Sequence, residues 1–223
     1  MLANRLRMSG GDYIGDVPAG AVLFGGDGTM LVAQGDVVME YKYPKTGLLV
    51  FRDTGDYLSF KLPTSLKGSL LIVGAGGRGG NGWYSQHGGR AGGGIQSEPY
   101  RVDEYTPSSL LHNARVGAAN GGASWFDDIT VSGGSSGGHA DIGTNGADRP
   151  IGNPTVFLGT EYANRHDRRS NIGAGVAGYP YRGWGGQPGF GTSQQGGNGS
   201  QGIILFAFGG FAMNYDPQTN VCS

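Results

Sequence analysis

Cysteine is nearly missing: Cys222 is the only one in 223 residues, so neither a disulfide framework nor a cysteine-built metal site is open to this chain. Charge is scarce as well. Asp, Glu, Lys and Arg make up 15% of the residues, against roughly 25% in an average domain. They nearly cancel, leaving a formal charge of −1. With no basic excess to neutralise phosphates, the simplest route to nucleic-acid binding is closed, and no nucleic-acid partner is expected. Long apolar runs are absent too. Leu70–Val73 and Ile203–Phe208 are the strongest, and both fall far short of the ~18 residues of a membrane-crossing helix. The apolar content of Met1–Met8 (MLANRLRM) is too short and interrupted for a secretory leader, so none is expected.

What the chain has instead is glycine, 47 of 223 residues or 21%, about three times the usual ~7%. Such density excludes a protein of long helices. Simple disorder is disfavoured, because hydrophobic residues reach 37% and aromatics 10%, enough apolar surface to offset chain entropy. The glycines are unevenly spread: 11 lie in Met1–Val73, 34 in Gly74–Gly202 and 2 beyond. The best strand candidates, Ser69–Val73 and Ile203–Phe208, stand at the two edges of the middle stretch, so a sheet is expected to frame it. Upstream, Leu48–Phe51 and Tyr57–Phe60 flank the turn-rich Arg52–Asp56 and read as a hairpin. Pro44–Gly47 is the best boundary, giving residues 1–46 as an N-terminal attachment segment, 47–208 as a glycine-rich domain and 209–223 as a polar C-terminal tail.

Within the glycine region a period of three recurs: Gly74, Gly77 and Gly80; Gly76, Gly79 and Gly82; Gly183, Gly186 and Gly189; Gly196, Gly199 and Gly202. Three residues per turn is the polyproline II period. Collagen is excluded, because the register breaks repeatedly and proline numbers only 10. The remaining solution is polyglycine II packing, in which threefold helices lie side by side and bond through their amides, having no internal hydrogen bonds of their own. The expected fold is therefore mostly β with polyglycine II helices: a glycine-rich sandwich framed by short antiparallel strands, with little or no α-helix.

Ser69–Val73 followed by Gly74-Ala-Gly76-Gly-Arg-Gly79 matches the dinucleotide pattern of a strand and then G-x-G-x-x-G. The pyrophosphate site of that motif needs a helix next. Here glycine stays too dense through Gly94 for one to form, so no cofactor is expected. His87, His112, His139 and His166 lack metal-ligand spacing, and the acidic stretch Asp141–Asp148 has no nonapeptide calcium repeat, so no metal site is assigned. No catalytic serine signature appears, and no carboxylate pair can be defined by spacing, so no catalytic residue is assigned. Trp125-Phe126 reads as a core pair.

The surface chemistry lies between the glycine runs. Trp83, Tyr84, His87, Tyr162, Arg165, His166, Tyr179, Tyr181, Trp184 and Phe190 occupy the segments between them, and Trp83, Tyr84, Tyr179, Tyr181 and Trp184 are surrounded by Gly, Ser and Gln. Aromatic tips bring large contact area at little rotamer cost, which suits recognition. These ten residues are the candidate contact set, and the cluster of Arg165, Arg168 and Arg169 tilts it toward an acidic or phosphorylated surface.

Phe60–Pro63, Ser69–Gly80, Ala114–Gly117 with Gly121-Gly-Ala-Ser-Trp-Phe126, and Gly202–Phe208, in that order, resemble the glycine-rich domains of bacteriophage tail proteins. Within that group the chain is similar to the tail-fibre-tip adhesins of T-even-like phages. The resemblance covers about Gly47 to Phe208. It implies a non-enzymatic virion protein at the distal end of a tail fibre or tail tip, assembled in the host cytoplasm. Its N-terminal segment would dock on other tail proteins, either capping a trimer or itself trimeric. Its variable segments would bind a bacterial outer-surface receptor, an outer-membrane protein or a glycan. Two other classes stay open: a structural tail or capsid decoration protein, and an enzyme acting on surface polysaccharide.

Overall fold

In a computed structural model, residues 14–32, 39–79, 98–108, 111–136, 155–162 and 198–223 are described. Among them the chain is β throughout, with no helix. In order the strands are β1 (Ile14–Val17), β2 (Ala21–Gly25), β3 (Met30–Val32), β4 (Met39–Lys42), β5 (Gly47–Phe51), β6 (Gly55–Lys61), β7 (Gly68–Val73) and β8 (Tyr100–Tyr105). There follow β9 (Leu111–Val116), β10 (Ser124–Phe126), β11 (Ile129–Val131), β12 (Thr155–Phe157), β13 (Thr160–Tyr162), β14 (Ile203–Phe208), β15 (Tyr215–Asp216) and β16 (Val221–Cys222).

The centre is a six-stranded sheet of order β3-β2-β5-β14-β7-β8, antiparallel at every join. Leu48–Phe51, Leu70–Val73 and Ile203–Phe208 of its inner strands are apolar at consecutive positions because both faces are covered. One row across the sheet, Leu23, Leu49, Phe206 and Leu70, faces a four-stranded sheet of order β11-β10-β9-β6. The next row, Val22, Val50, Leu205 and Leu71, points the other way, into a second core completed by Phe157, Tyr162, Phe211 and Tyr215. The four-stranded sheet has only one buried face, so β9 alternates strictly: His112, Ala114 and Val116 point inward, and Leu111, Asn113 and Arg115 outward. Strand β6 keeps Tyr57 and Phe60 both inward, three residues apart, through a bulge in which Ser59 takes a φ of 54° and donates its N–H to Asn113 Oδ1 at 2.8 Å. Between the sheets, Phe51 meets Tyr57 at 5.0 Å and Phe60 at 5.3 Å, ring centre to ring centre.

The expected frame is present: Ser69–Val73 and Ile203–Phe208 pair directly. The expected hairpin is not. Strands β5 and β6 lie in different sheets, because the chain crosses from one layer to the other at Arg52–Thr54. The Tyr57 hydroxyl, bonded to the Asp53 carbonyl at 2.8 Å, closes that arch. The boundary at residue 46 also fails for the described residues before it. Strand β2 pairs along its whole length with β5, and Asp16 accepts the Lys61 amide at 3.0 Å, so residues 14–32 and 39–46 belong to the main body. Nor is 209–223 a patternless tail: Tyr215 is fully buried beside Phe24, and its N–H bonds to the Leu158 carbonyl at 2.9 Å.

Where β7 ends, the backbone continues through Gly74–Gly79 outside any strand or helix and meets three other stretches of chain. Ala75 donates to the Gly122 carbonyl at 2.9 Å and accepts from the Gly134 amide at 2.7 Å, while Gly76 donates to the Ser200 carbonyl at 2.8 Å. The approach is so close that a methyl added at Gly77 would overlap the Ser135 carbonyl, and one at Gly199 the Gly76 carbonyl. Ser124 rivets the edge of this nest, its buried hydroxyl donating to the Val73 carbonyl at 2.7 Å and accepting the Gly117 amide at 3.0 Å. Main chains therefore nest at side-chain-free positions, as the composition predicts. The threefold runs at Gly183–Gly189 and from Gly80 to Gly82 lie outside the described residues.

Replacing Gly77 with alanine should therefore cost about 1–3 kcal/mol, the range for overfilling a packed interior. At Gly25 the same change meets only side-chain ends, the Asp27 carboxylate at 3.2 Å and Leu31 methyls from 3.4 Å, rather than backbone, and should cost less. Thermal unfolding of the two variants checks the contrast.

Candidate functional site

Of the ten candidate contact residues, Trp83, Tyr84, His87, Arg165, His166, Tyr179, Tyr181, Trp184 and Phe190 lie outside the described residues. Tyr162 lies within them and is corrected. It ends β13 opposite Thr155 with its side chain fully buried in the second core, because alternation along the short β12–β13 hairpin turns Phe157 and Tyr162 inward against the central sheet. It has no surface to offer a receptor.

The pair Trp125-Phe126 divides in the same way. Phe126 is fully buried, whereas Trp125, on the opposite face of β10, is half-buried and reaches the outer surface of the four-stranded sheet. That outer surface carries the most organised polar chemistry among the described residues. Reading across the strands, Thr130 of β11 is level with Trp125 of β10, Trp125 with Arg115 of β9, and Arg115 with Asp56 of β6. Three strand spacings make this row about 14 Å long. Arg115 holds Asp56 with two bonds, Nε to Oδ1 at 2.7 Å and Nη2 to Oδ2 at 3.1 Å. Both members keep much of their surface, 51% and 39% exposed. Beside the row a groove of about 410 Å³ is lined by Trp125 and Arg115, by Thr54 of the arch and Gly55 at the start of β6, and by Gly117, Gly122 and Ala123 next to the glycine nest. A second groove, of about 510 Å³, runs past Thr130 toward Glu98, Tyr100 and Ser135.

Directly inside the same sheet lies a polar cluster built on the buried His112 and the partly buried Asp127. His112 Nδ1 lies 2.7 Å from Asp127 Oδ2, and the Asn113 amide donates to Asp127 Oδ1 at 3.0 Å. Asp127 sits at the β10–β11 turn with a φ of 51°, a left-handed conformation that Asp and Asn tolerate best among residues with a side chain. Burial pushes the Asp127 carboxyl up, but the His112 ring N–H, the Asn113 amide and the Tyr105 hydroxyl outweigh it and hold the group below the usual carboxylate range. Burial, followed by the Asp127 and Asp128 charges, pushes the Tyr105 phenol up. His112 is entirely buried between Phe60 and Phe126, so its ring cannot reach a substrate. The couple works as a clasp that fixes the turn carrying Trp125.

The dinucleotide pattern is occupied by structure. The amides of Ala75 and Gly76, which would face a pyrophosphate, already bond to Gly122 and Ser200, and no helix begins by residue 79. Among the described residues no group of three His, Cys, Asp or Glu side chains is placed to hold a metal ion. No protein-family model matches this chain, and no curated protein sequence does.

Because Asn also tolerates the left-handed turn, Asp127→Asn isolates the charge. It should lower stability by about 2 kcal/mol at neutral pH, the scale of a charge-assisted bond to a buried partner. A carboxyl held below its unfolded value contributes stability that is complete above about pH 4 and is lost as pH falls through the folded value. The gap in melting temperature between native protein and variant should therefore be widest near pH 7 and narrow below pH 4.

Proposed function

We propose that this chain is a non-enzymatic adhesin of a phage tail fibre or tail tip, binding a bacterial surface receptor through side chains carried on a glycine-stiffened β sandwich. The observation that carries this reading is the nest around Ala75. Three long stretches of sequence, residues 80–97, 137–154 and 163–197, each have one end within a few residues of it: Gly77 touches Ser135, and Gly199 touches Gly76. The first and third hold nine of the ten aromatic, histidine and arginine residues read as contacts. A platform of close-packed main chain fixes one root of each stretch and lowers the entropy lost on engaging a partner. The order of glycine motifs that resembles phage tail proteins points the same way, from strand to glycine run to Gly121-Gly-Ala-Ser124 to closing strand.

The test adds purified protein to bacteria before phage challenge. It should bind susceptible cells and reduce infection. Tyr181→Ala combined with Trp184→Ala should weaken binding by about tenfold or more, the cost of removing aromatic anchors, with the melting temperature unchanged. Undiminished binding by the double variant would remove those residues from the contact set. A protein that sits in purified virions yet binds no susceptible cell would belong to the structural class instead.

A further inference from the structure

A polar row on an otherwise solvent-facing sheet calls for a physical account of its own. The bland one is cross-strand stabilisation: Arg115 and Asp56 are level partners, and such pairs contribute modestly to antiparallel sheets. It does not account for Trp125. An indole left half-exposed on the outer face gives up burial available one position away, where Phe126 takes it, and forms the wall of a groove instead.

We infer that the outer face of β10, β9 and β6 is a saccharide-binding site, with Trp125 as the stacking platform and the Arg115–Asp56 pair as the hydroxyl reader. The chemistry selects the ligand. A sugar ring offers an apolar C–H face to an aromatic plane and, at its rim, hydroxyls that both donate and accept. The ion pair supplies both functions side by side. Arg115 retains N–H groups not spent on Asp56, Asp56 retains lone pairs, and their charges cancel. Cancellation matters, because a phosphate, sulfate or carboxylate arriving at Arg115 would meet the Asp56 carboxylate 2.7 Å from Nε. A neutral hydroxyl pays no such repulsion. The site therefore favours uncharged sugars, whereas the Arg165, Arg168 and Arg169 cluster of the sequence tilts toward anions.

The site is also preorganised. The two-bond pairing holds the guanidinium plane in place, so little rotamer freedom remains to be lost on binding. The His112–Asp127 clasp fixes the β10–β11 turn beneath Trp125. Gly117, whose amide is held by the Ser124 hydroxyl and whose carbonyl accepts the Gly202 amide, lines the same groove beside Ala123. At about 410 Å³ the groove falls in the size range of small-ligand sites, roughly 300–1,000 Å³. Thr130 continues the row toward the second groove, so a linear oligosaccharide can lie across the strands.

This inference stands apart from the virion role, and the experiment separates the two. The full chain is applied to an array of bacterial oligosaccharides, neutral and anionic, in parallel with cell binding. Binding to at least one neutral glycan is expected, little altered by raised salt. It should fall by about tenfold or more in Trp125→Ala and be largely retained in Trp125→Phe. Tyr181→Ala with Trp184→Ala should leave it unchanged. Asp56→Asn provides a readout that a merely structural pair would not move: with Arg115 uncompensated, preference should pass from neutral to sulfated or phosphorylated glycans and become salt-sensitive. Failure to bind any neutral glycan, or equal binding by a folded Trp125→Ala, overturns the site. A protein that binds sugars but no cells keeps the site and loses the adhesin reading; one that binds cells but no sugars does the reverse.

Discussion

The structure depends on main chains approaching one another more closely than any side chain allows. Ala75 uses both of its backbone groups on different neighbours, giving its N–H to Gly122 and taking that of Gly134. Such groups are costly to bury unpaired, and outside a regular ladder they need partners brought in from elsewhere in the chain. Glycine makes those partners reachable. The entropy lost in ordering glycine, up to about 1 kcal/mol more than for alanine, is offset because the contacts come in a cluster and share one apolar support. That support is the β7–β14 pair, whose ends lead straight into the nest.

The central sheet explains why so few hydrophobic residues suffice. Burying both faces of β5, β7 and β14 puts every apolar side chain of those strands to use, and the two coverings divide the labour. A four-stranded sheet closes one face with an aromatic cluster around Phe51, Phe60 and Phe126. Two short hairpins, β12–β13 and β15–β16, close the other and lock to each other through Thr160 Oγ1, which donates to the Tyr215 carbonyl at 2.6 Å. The outer sheet, covered on one side only, is where the chain can place polar side chains without loss of core.

Legibility followed the range of the interactions. Strands with continuous apolar runs, Leu48–Phe51, Ser69–Val73 and Ile203–Phe208, were readable because burial on both faces writes itself into composition. Their partners were not. The arch at Arg52–Thr54 and a true hairpin turn draw on the same residue types, and only the facing sheet decides between them. Residues 1–46 read as separable because glycine and proline punctuate them, yet β2 within them pairs into the central sheet. The same difficulty governed the site. Neighbourhood alone places Tyr162 at the surface and Trp125 in the core, whereas strand alternation buries the first and leaves the second half-buried on the outer face. The alternation of Leu111–Val116 was the one signal that could have pointed Arg115 outward; its level partners Trp125 and Asp56 follow from register, which no local pattern contains.

Stiffness links the nest to the recognition chemistry. Uncharged, well-hydrated ligands such as sugars give little net energy per contact, so the entropy of ordering the protein decides whether contact yields binding at all. A site built on loops would lose much of its gain in fixing Trp125 and Arg115. Here both side chains stand on paired strands, the turn between β10 and β11 is clasped from inside by Asp127 and His112, and the groove beside them is also lined by Gly117 and Gly122 of the nest, which have no side-chain torsions to lose. A glycine-rich chain, flexible as a polymer, thus becomes rigid where its backbones meet, and rigidity at that junction is what a surface of modest chemistry requires.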